Sequence, residues 1–337
     1  MNIAHLLPHT ASFPVTRHNG RYEWAMRLIR LQAENGPQVT VYAAPGSSDE
    51  NANIIWRSSA YDFGNKTKNN IALIKTALQD DNHDIYHSHF DYMHYFLADS
   101  TTKPVLFTQH WFPNQDISNA AHFNVTKNVL AVPATQHMAA ENNKLGIAST
   151  DFIRQGIDLS LFQPKEPVSD RLIFVGRITR NKGVLEAVKI ALATNQKLDI
   201  IGKINESDKE YWEQILPLVD NDQIKYLGPK THEEVADIMA HAKALIFPSQ
   251  APEASPQVPI EAQACGLPVI ISNVGSTAEW VDHGKSGFVV ETEAEYIDAV
   301  HNLDTIDRNY CREFASLFDI SKMFESYERL YAQLTTS

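Results

Sequence analysis

Residues 171–202 read RLIFVGRITRNKGVLEAVKIALATNQKLDIIG. An apolar run at 171–176 leads into a helical stretch near 182–194 and then a second apolar run at 198–202. Strand, helix and strand in that order make a parallel βαβ unit, because parallel neighbours need a crossover long enough to hold a helix. The alternation continues downstream with IKYLG (224–228), ALIFPS (244–249), PVIIS (268–272) and GFVVE (287–291). Helical stretches fall near 207–216, 231–241, 257–265 and 293–303. Upstream the same pattern appears in NIAHLL (2–7), VTVYAA (39–44), DIYHSH (84–89), PVLFTQ (104–109) and VLAVPA (129–134). A helix from Arg21 to Glu34 with Trp24, Leu28 and Leu31 on one face sits between the first two, and Asn35-Gly36 stops it.

The stretch RQGIDLSLFQPKEPVSD (154–170) interrupts the alternation with two prolines and mixed charge and reads as a linker. The expected fold is therefore α/β, with two Rossmann-like doubly wound domains. Residues 1–155 form the first, 156–315 the second, and 316–337 end in a helix with no strand after it. A chain of 337 residues suits two hydrophobic cores. Tandem domains of this class place their strand C-terminal ends toward a common cleft, so the loops after the strands are where ligands are expected.

Composition narrows the function classes. With 43% hydrophobic and 21% charged residues the chain is a globular one, and a formal charge of -12 argues against nucleic acid as the main partner. Two cysteines, no run of membrane-span length and an N-terminus that opens on a strand point to a cytoplasmic protein, with a peripheral membrane contact left open.

Four loops carry suggestive chemistry. Gly176 and Arg177 follow one strand, and Lys182 and Gly183 open a helix. Two cations beside a helix N-terminus suit a phosphate, although the same spacing serves a solvated loop. HGKSG (283–287) lacks the glycine that a P-loop requires at position 279, which is Glu279. Asp220 and Asp222 have the spacing of a cation site but precede a strand, where a solvated turn is the default. His87 and His89 alternate on a strand end without a third ligand at a recognisable spacing, and His110 ends another strand.

Together these pieces resemble the retaining glycosyltransferases of family 4, which have the GT-B fold. The resemblance rests on Gly176, Arg177, Lys182 and Gly183, on Glu253 and Glu261 within EASPQVPIEAQACGLPVI, on NVGSTAEWVDHGKSGFVV, and in the first half on HNGRYEWAMRLIRL and VLFTQHW. It implies a metal-independent enzyme without a cofactor that moves a sugar from a nucleotide-diphosphate donor, UDP-linked by expectation. The acceptor, a small molecule, glycan or lipid-linked group, is not specified, and neither is the oligomeric state. It further implies that Arg177 and Lys182 neutralise the diphosphate, Glu261 binds ribose and Glu253 meets the transferred sugar. The Asn19-Gly20 loop would pass near the diphosphate and His110 beside the sugar, and the last helix would cross back to the first domain. Ser255 reads as a helix N-cap with Pro256 at the first helical position, which would aim the Gln257 and Val258 amides at the ligand. Two departures stand out. The family's aromatic-glycine pair after the first acid is here Ala254-Ser255, and its glycine pair in the first domain is Asn19-Gly20. A nucleotide-sugar epimerase or hydrolase, or a non-catalytic nucleotide-sugar-binding regulator, are the alternative readings.

Overall fold

The computed structural model describes residues 1–10, 12–14, 20–59, 62–80, 82–90, 92–122 and 128–336. The chain divides into two compact units, one of Met1–Gln155 with Ser321–Ser337 and one of Gly156–Ile320.

In the first unit, strands β1 (Asn2–Leu6), β2 (Gln38–Tyr42), β3 (Ile54–Arg57), β4 (Ile85–Ser88), β5 (Val105–Thr108) and β6 (Val129–Val132) form one sheet in the order β3-β2-β1-β4-β5-β6, every pairing parallel. Helices α1 (Gly20–Glu34), α2 (Lys66–Gln79), α3 (His94–Ala98), α4 (Gln115–His122) and α5 (Gln136–Leu145) connect them. The second unit has β7 (Arg171–Val175), α6 (Val184–Ala193), β8 (Lys197–Ile201), α7 (Lys209–Ile215), β9 (Ile224–Gly228), α8 (His232–His241), β10 (Ala244–Phe247), α9 (Val258–Ala264), β11 (Val269–Ser272), β12 (Gly287–Val290), α10 (Glu293–His301) and α11 (Arg308–Ala315). Its sheet runs β12-β11-β10-β7-β8-β9 and is also parallel. Each sheet grows outward from its first strand in both directions. The strand order therefore reverses between β1 and β4 in one unit and between β7 and β10 in the other, and a doubly wound sheet offers its ligand crevice at that reversal.

The strands are legible because parallel strands are covered on both faces and read as unbroken apolar runs. Leu172, Ile173 and Phe174 of β7 and Val269, Ile270 and Ile271 of β11 are all buried. Helix starts carry their own signals. Thr231 with Glu234 and Thr292 with Glu295 form capping boxes at α8 and α10, each threonine and glutamate pairing with the other's backbone amide.

The last helix, α12 (Ile320–Thr335), buries Met323, Tyr327 and Tyr331 at four-residue spacing, and residues from Ser321 onward belong to the first unit. Where the chain enters and leaves the second unit, its two passages pair: the Ile157 amide donates to the Phe318 carbonyl at 2.9 Å, and the Ile320 amide to the Ile157 carbonyl at 3.0 Å.

Candidate functional site

In the second unit the strand-order reversal is built by the loops after β7 and β10. The Gly176 amide continues the ladder by donating to the Ile201 carbonyl at 3.0 Å. A Cβ on Gly202 would stand 1.8 Å from the Gly176 carbonyl oxygen, so the ends of β7 and β8 approach closely only because residue 202 is glycine. Ile178 is fully buried and anchors the loop, while the Arg177 side chain is exposed. Residues Arg180–Lys182 then make one 3-10 turn that ends at Gly183, whose φ of 73° is left-handed. A Cβ there would meet the Pro248 carbonyl oxygen at 1.9 Å, which holds this loop against the one after β10.

That packing sets up an ion pair. The Gln250 amide donates to the Asn181 carbonyl at 2.8 Å, and Lys182 Nζ reaches Glu253 Oε1 at 2.5 Å. The two side chains are 20% and 16% exposed, well below a surface pair. The Ser249 hydroxyl lies 2.8 Å from the same carboxylate oxygen, and the Lys182 ammonium stands 5.5 Å from the Phe247 ring centre. Glu253 is fixed from behind by the loop after β11, where the Ser276 amide donates to its carbonyl at 3.0 Å. Lys182 and Glu253, 71 positions apart, are thus brought together at the crevice position.

Helix α9 begins later than its sequence suggests. Val258 and Pro259 are its first two residues and Gln257 precedes them, so Ser255 is not the N-cap and Pro256 lies outside the helix. The Ser255 hydroxyl is buried without a hydrogen-bond partner among the described residues. The cause is the tie between Glu253 and the Gly275–Ser276 segment, which keeps the preceding chain out of helical geometry. The Gln257 carbonyl accepts from the amides of both Ile260 and Glu261, at 2.9 and 3.0 Å. Glu261 sits in this first turn with its side chain buried. Asp220 closes a turn by accepting from the amides of Asp222 and Ile224, both at 2.9 Å, as the turn reading expects. The HGKSG segment leads into strand β12 with no helix to receive an anion. A concavity of about 400 Å³ against β12 and α10, lined by His283, Phe288, Glu291 and Glu295, does not include Lys182 or Glu253.

The first unit holds a second cluster at its own strand-order reversal. His5 of β1 lies directly opposite His87 of β4 in the parallel register, and His89 follows β4. All three are fully buried, and one ligating atom of each lies within 4.8 Å of the others. His5 is the third histidine that sequence spacing did not reveal; only the β1–β4 pairing brings it there. His110 joins through a 3.4 Å contact between its Nε2 and His89 Nδ1. Trp24 of α1 packs edge-on against both His110 and His89, and Tyr327 of α12 packs on Trp24 and His87. Burial holds the His5 pKa down at about 4 and keeps His87 and His89 well below the ordinary histidine value. His110 is lowered to about 3 by desolvation and then by the nearby Arg21 charge. Gly20 opens α1, and Asn19 lies outside the described residues.

Known proteins resemble the chain in two ways. D-inositol 3-phosphate glycosyltransferase of Pseudarthrobacter chlorophenolicus is 27% identical over 208 residues, which is 56% of this chain and 48% of that protein. The chain thus spans about half the length of the curated relatives it matches. Sucrose-phosphate synthase from Thermosynechococcus elongatus superposes with a TM-score of 0.81 at 17% identity, covering 99% of both chains. Anabaena HepE in complex with UDP superposes with a TM-score of 0.78 at 16% identity, covering 99% of this chain and 100% of that one. At such identities the likeness speaks for the fold alone: two Rossmann-like domains of the GT-B type. Residues 161–316, which include the Lys182–Glu253 pair and Glu261, match the model of the family described as glycosyl transferases group 1.

Proposed function

We propose that the chain is a metal-independent, retaining glycosyltransferase that takes a sugar from a nucleotide-diphosphate donor, UDP-linked by preference. The observation that carries this reading is the Lys182–Glu253 pair at the strand-order reversal of a sheet within the segment that matches the glycosyl transferases group 1 model. The solved structure of HepE, similar in fold, holds UDP, which favours a uridine nucleotide here.

Breaking a sugar–phosphate bond leaves charge on the diphosphate as the anomeric carbon becomes cationic, and positive charge held on the leaving group is the largest available help. Lys182 and the exposed Arg177 supply two cations without a metal. The ten-residue helix α6 adds the positive end of its dipole beside them, although its Leu185 amide already donates to the Tyr211 hydroxyl at 3.0 Å. In this reading Lys182 is shared between Glu253 and the phosphates, so the residue that steadies the leaving group also positions the acid beside the sugar. Glu261 binds the ribose hydroxyls, the Gln257 and Val258 amides face the ligand, and the first unit takes the acceptor through His110 and the Asn19-Gly20 segment.

The experiment is incubation of the protein with a panel of nucleotide sugars, with and without sugar, polyol and lipid-linked acceptors. Free nucleoside diphosphate and the anomeric configuration of the product are followed by NMR. Acceptor-dependent release with retained configuration is expected. Release without an acceptor would indicate a hydrolase, an altered donor sugar an epimerase, and binding without turnover a regulator; each would displace the proposal.

A further inference from the structure

A hydrogen-bond chain in the first unit runs from the last helix to His110. Gln32 of α1 is fully buried; its amide nitrogen donates to Glu328 Oε1 of α12 at 3.3 Å and also reaches the Tyr331 hydroxyl. Its carbonyl oxygen lies 2.8 Å from His5 Nε2, His5 Nδ1 lies 3.1 Å from His89 Nε2, and His89 Nδ1 lies 3.4 Å from His110 Nε2.

Proton counting gives this chain a direction. A carboxylate only accepts, so the end of Gln32 facing Glu328 is its NH2 group, and the end facing His5 is its carbonyl oxygen. That oxygen also only accepts, so His5 carries its proton on Nε2. A neutral imidazole has one donor and one acceptor, and burial keeps these rings neutral. His5 Nδ1 therefore accepts from His89 Nε2–H, and His89 Nδ1 accepts from His110 Nε2–H. If the Gln32 amide turned over, every proton in the row would move to the opposite nitrogen. The same bonds weigh against a metal among the three histidines: His5 Nδ1 and His89 Nε2 already share a proton, and His87 is engaged by the Tyr331 hydroxyl at 2.5 Å and by Thr108 Oγ1 at 2.8 Å.

We propose that Glu328 and Gln32 are positioning residues which, through His5 and His89, hold His110 as its Nε2–H tautomer, so that His110 offers Nδ1 as a hydrogen-bond acceptor. The tautomer stands whatever the reaction is; only its catalytic consequence rests on the glycosyltransferase reading.

The test is two-bond 1H–15N NMR on full-length protein labelled at histidine, comparing the native chain with Glu328→Gln and Gln32→Leu at a pH above 7. The native protein should show His110 protonated at Nε2 and bare at Nδ1, and Glu328→Gln, in which either end of Gln32 can face residue 328, should show both tautomers. Should neither variant fold, the native spectrum alone decides. His110 protonated at Nδ1 in the native protein, or an unchanged tautomer in a folded Glu328→Gln protein, overturns the proposal. So does stoichiometric zinc in the purified protein, or zinc titration that shifts the His5 and His89 resonances. With a turnover assay in hand, Glu328→Gln should lower kcat about tenfold, in the range of a misplaced acid–base or hydrogen-bonding group, with the donor KM unchanged. A shifted tautomer with unchanged kcat would leave Glu328 a structural residue only.

Discussion

Replacing Glu253 by glutamine should tighten the binding of free UDP while slowing transfer. The Glu253 carboxylate lies 2.5 Å from Lys182 Nζ and offsets the charge that the proposed diphosphate would use. At an effective dielectric of about 20, a carboxylate roughly 6 Å from a phosphate charge opposes it by about 3 kcal/mol before screening. The pair remains 20% and 16% exposed, so part of that is lost to water and the net gain should be about 1–2 kcal/mol. UDP affinity in Glu253→Gln should therefore rise roughly 5- to 30-fold. Lys182→Met has the opposite sign for two reasons, loss of the cation and an uncompensated carboxylate facing the ligand, and should cost about 2–4 kcal/mol. The double variant should lie between them. Isothermal titration calorimetry with UDP at one fixed ionic strength measures all three. A Glu253→Gln protein that is folded and binds UDP more weakly than the native chain would refute the reasoning, because the carboxylate would then be helping to bind the nucleotide.

Other outcomes follow from single features. Gly183→Ala must move the Pro248 carbonyl by about 1.1 Å, the difference between a 1.9 Å approach and the 3.0 Å that real Cβ atoms keep. UDP affinity should fall at least about tenfold, as expected when a ligand-holding loop is displaced by an ångström, and titration of the folded variant checks this. Glu261→Gln should weaken UDP and the UDP-sugar by the same factor, since ribose is common to both, and equal titrations with the two ligands test it. Turnover should persist in excess EDTA if, as proposed, side chains rather than a divalent ion carry the diphosphate charge; loss in chelator with recovery on adding magnesium would overturn that. His5 has a folded pKa of about 4 against an ordinary 6.5, so the unfolded chain binds the extra proton. Its contribution is complete above pH 6.5 and is lost as the pH falls toward 4, up to roughly 3 kcal/mol. Urea unfolding at pH 7.5, 5.5 and 4.5 should show the midpoint falling.

Some of the molecule could be read directly from residue order. The long βαβ alternation was plain because strands buried on both faces become unbroken apolar runs, and the cap signals at Thr231 and Thr292 depend only on neighbours three residues away. Short elements escaped. β3 lies at the edge of its sheet and only Ile54 of it is buried, so it lacks the unbroken apolar run of the inner strands, and α2 lies between segments with weak contrast. The start of α9 was misplaced because Ser255-Pro256 has the local form of a helix entrance, while the chain just before it is tied through the Glu253 carbonyl to the Ser276 amide, a contact that no local pattern shows.

The roles expected of Lys182, Glu253, Glu261 and His110 came from the resemblance to a known family, since residue type and local spacing alone left Lys182 as open to a solvated loop as to a phosphate. Their pairing was legible in neither. Lys182 meets Glu253 only because β10 lies beside β7, and His5 meets His87 only because β4 lies beside β1 in register. Both adjacencies arise where the strand order reverses, and that reversal is chosen by which buried faces the crossover helices can cover. Glu328 enters the histidine chain for the same kind of reason: α12 lays Tyr327 and Tyr331 into the first unit's core, and this burial, decided by packing across some 300 residues of chain, sets a carboxylate beside Gln32.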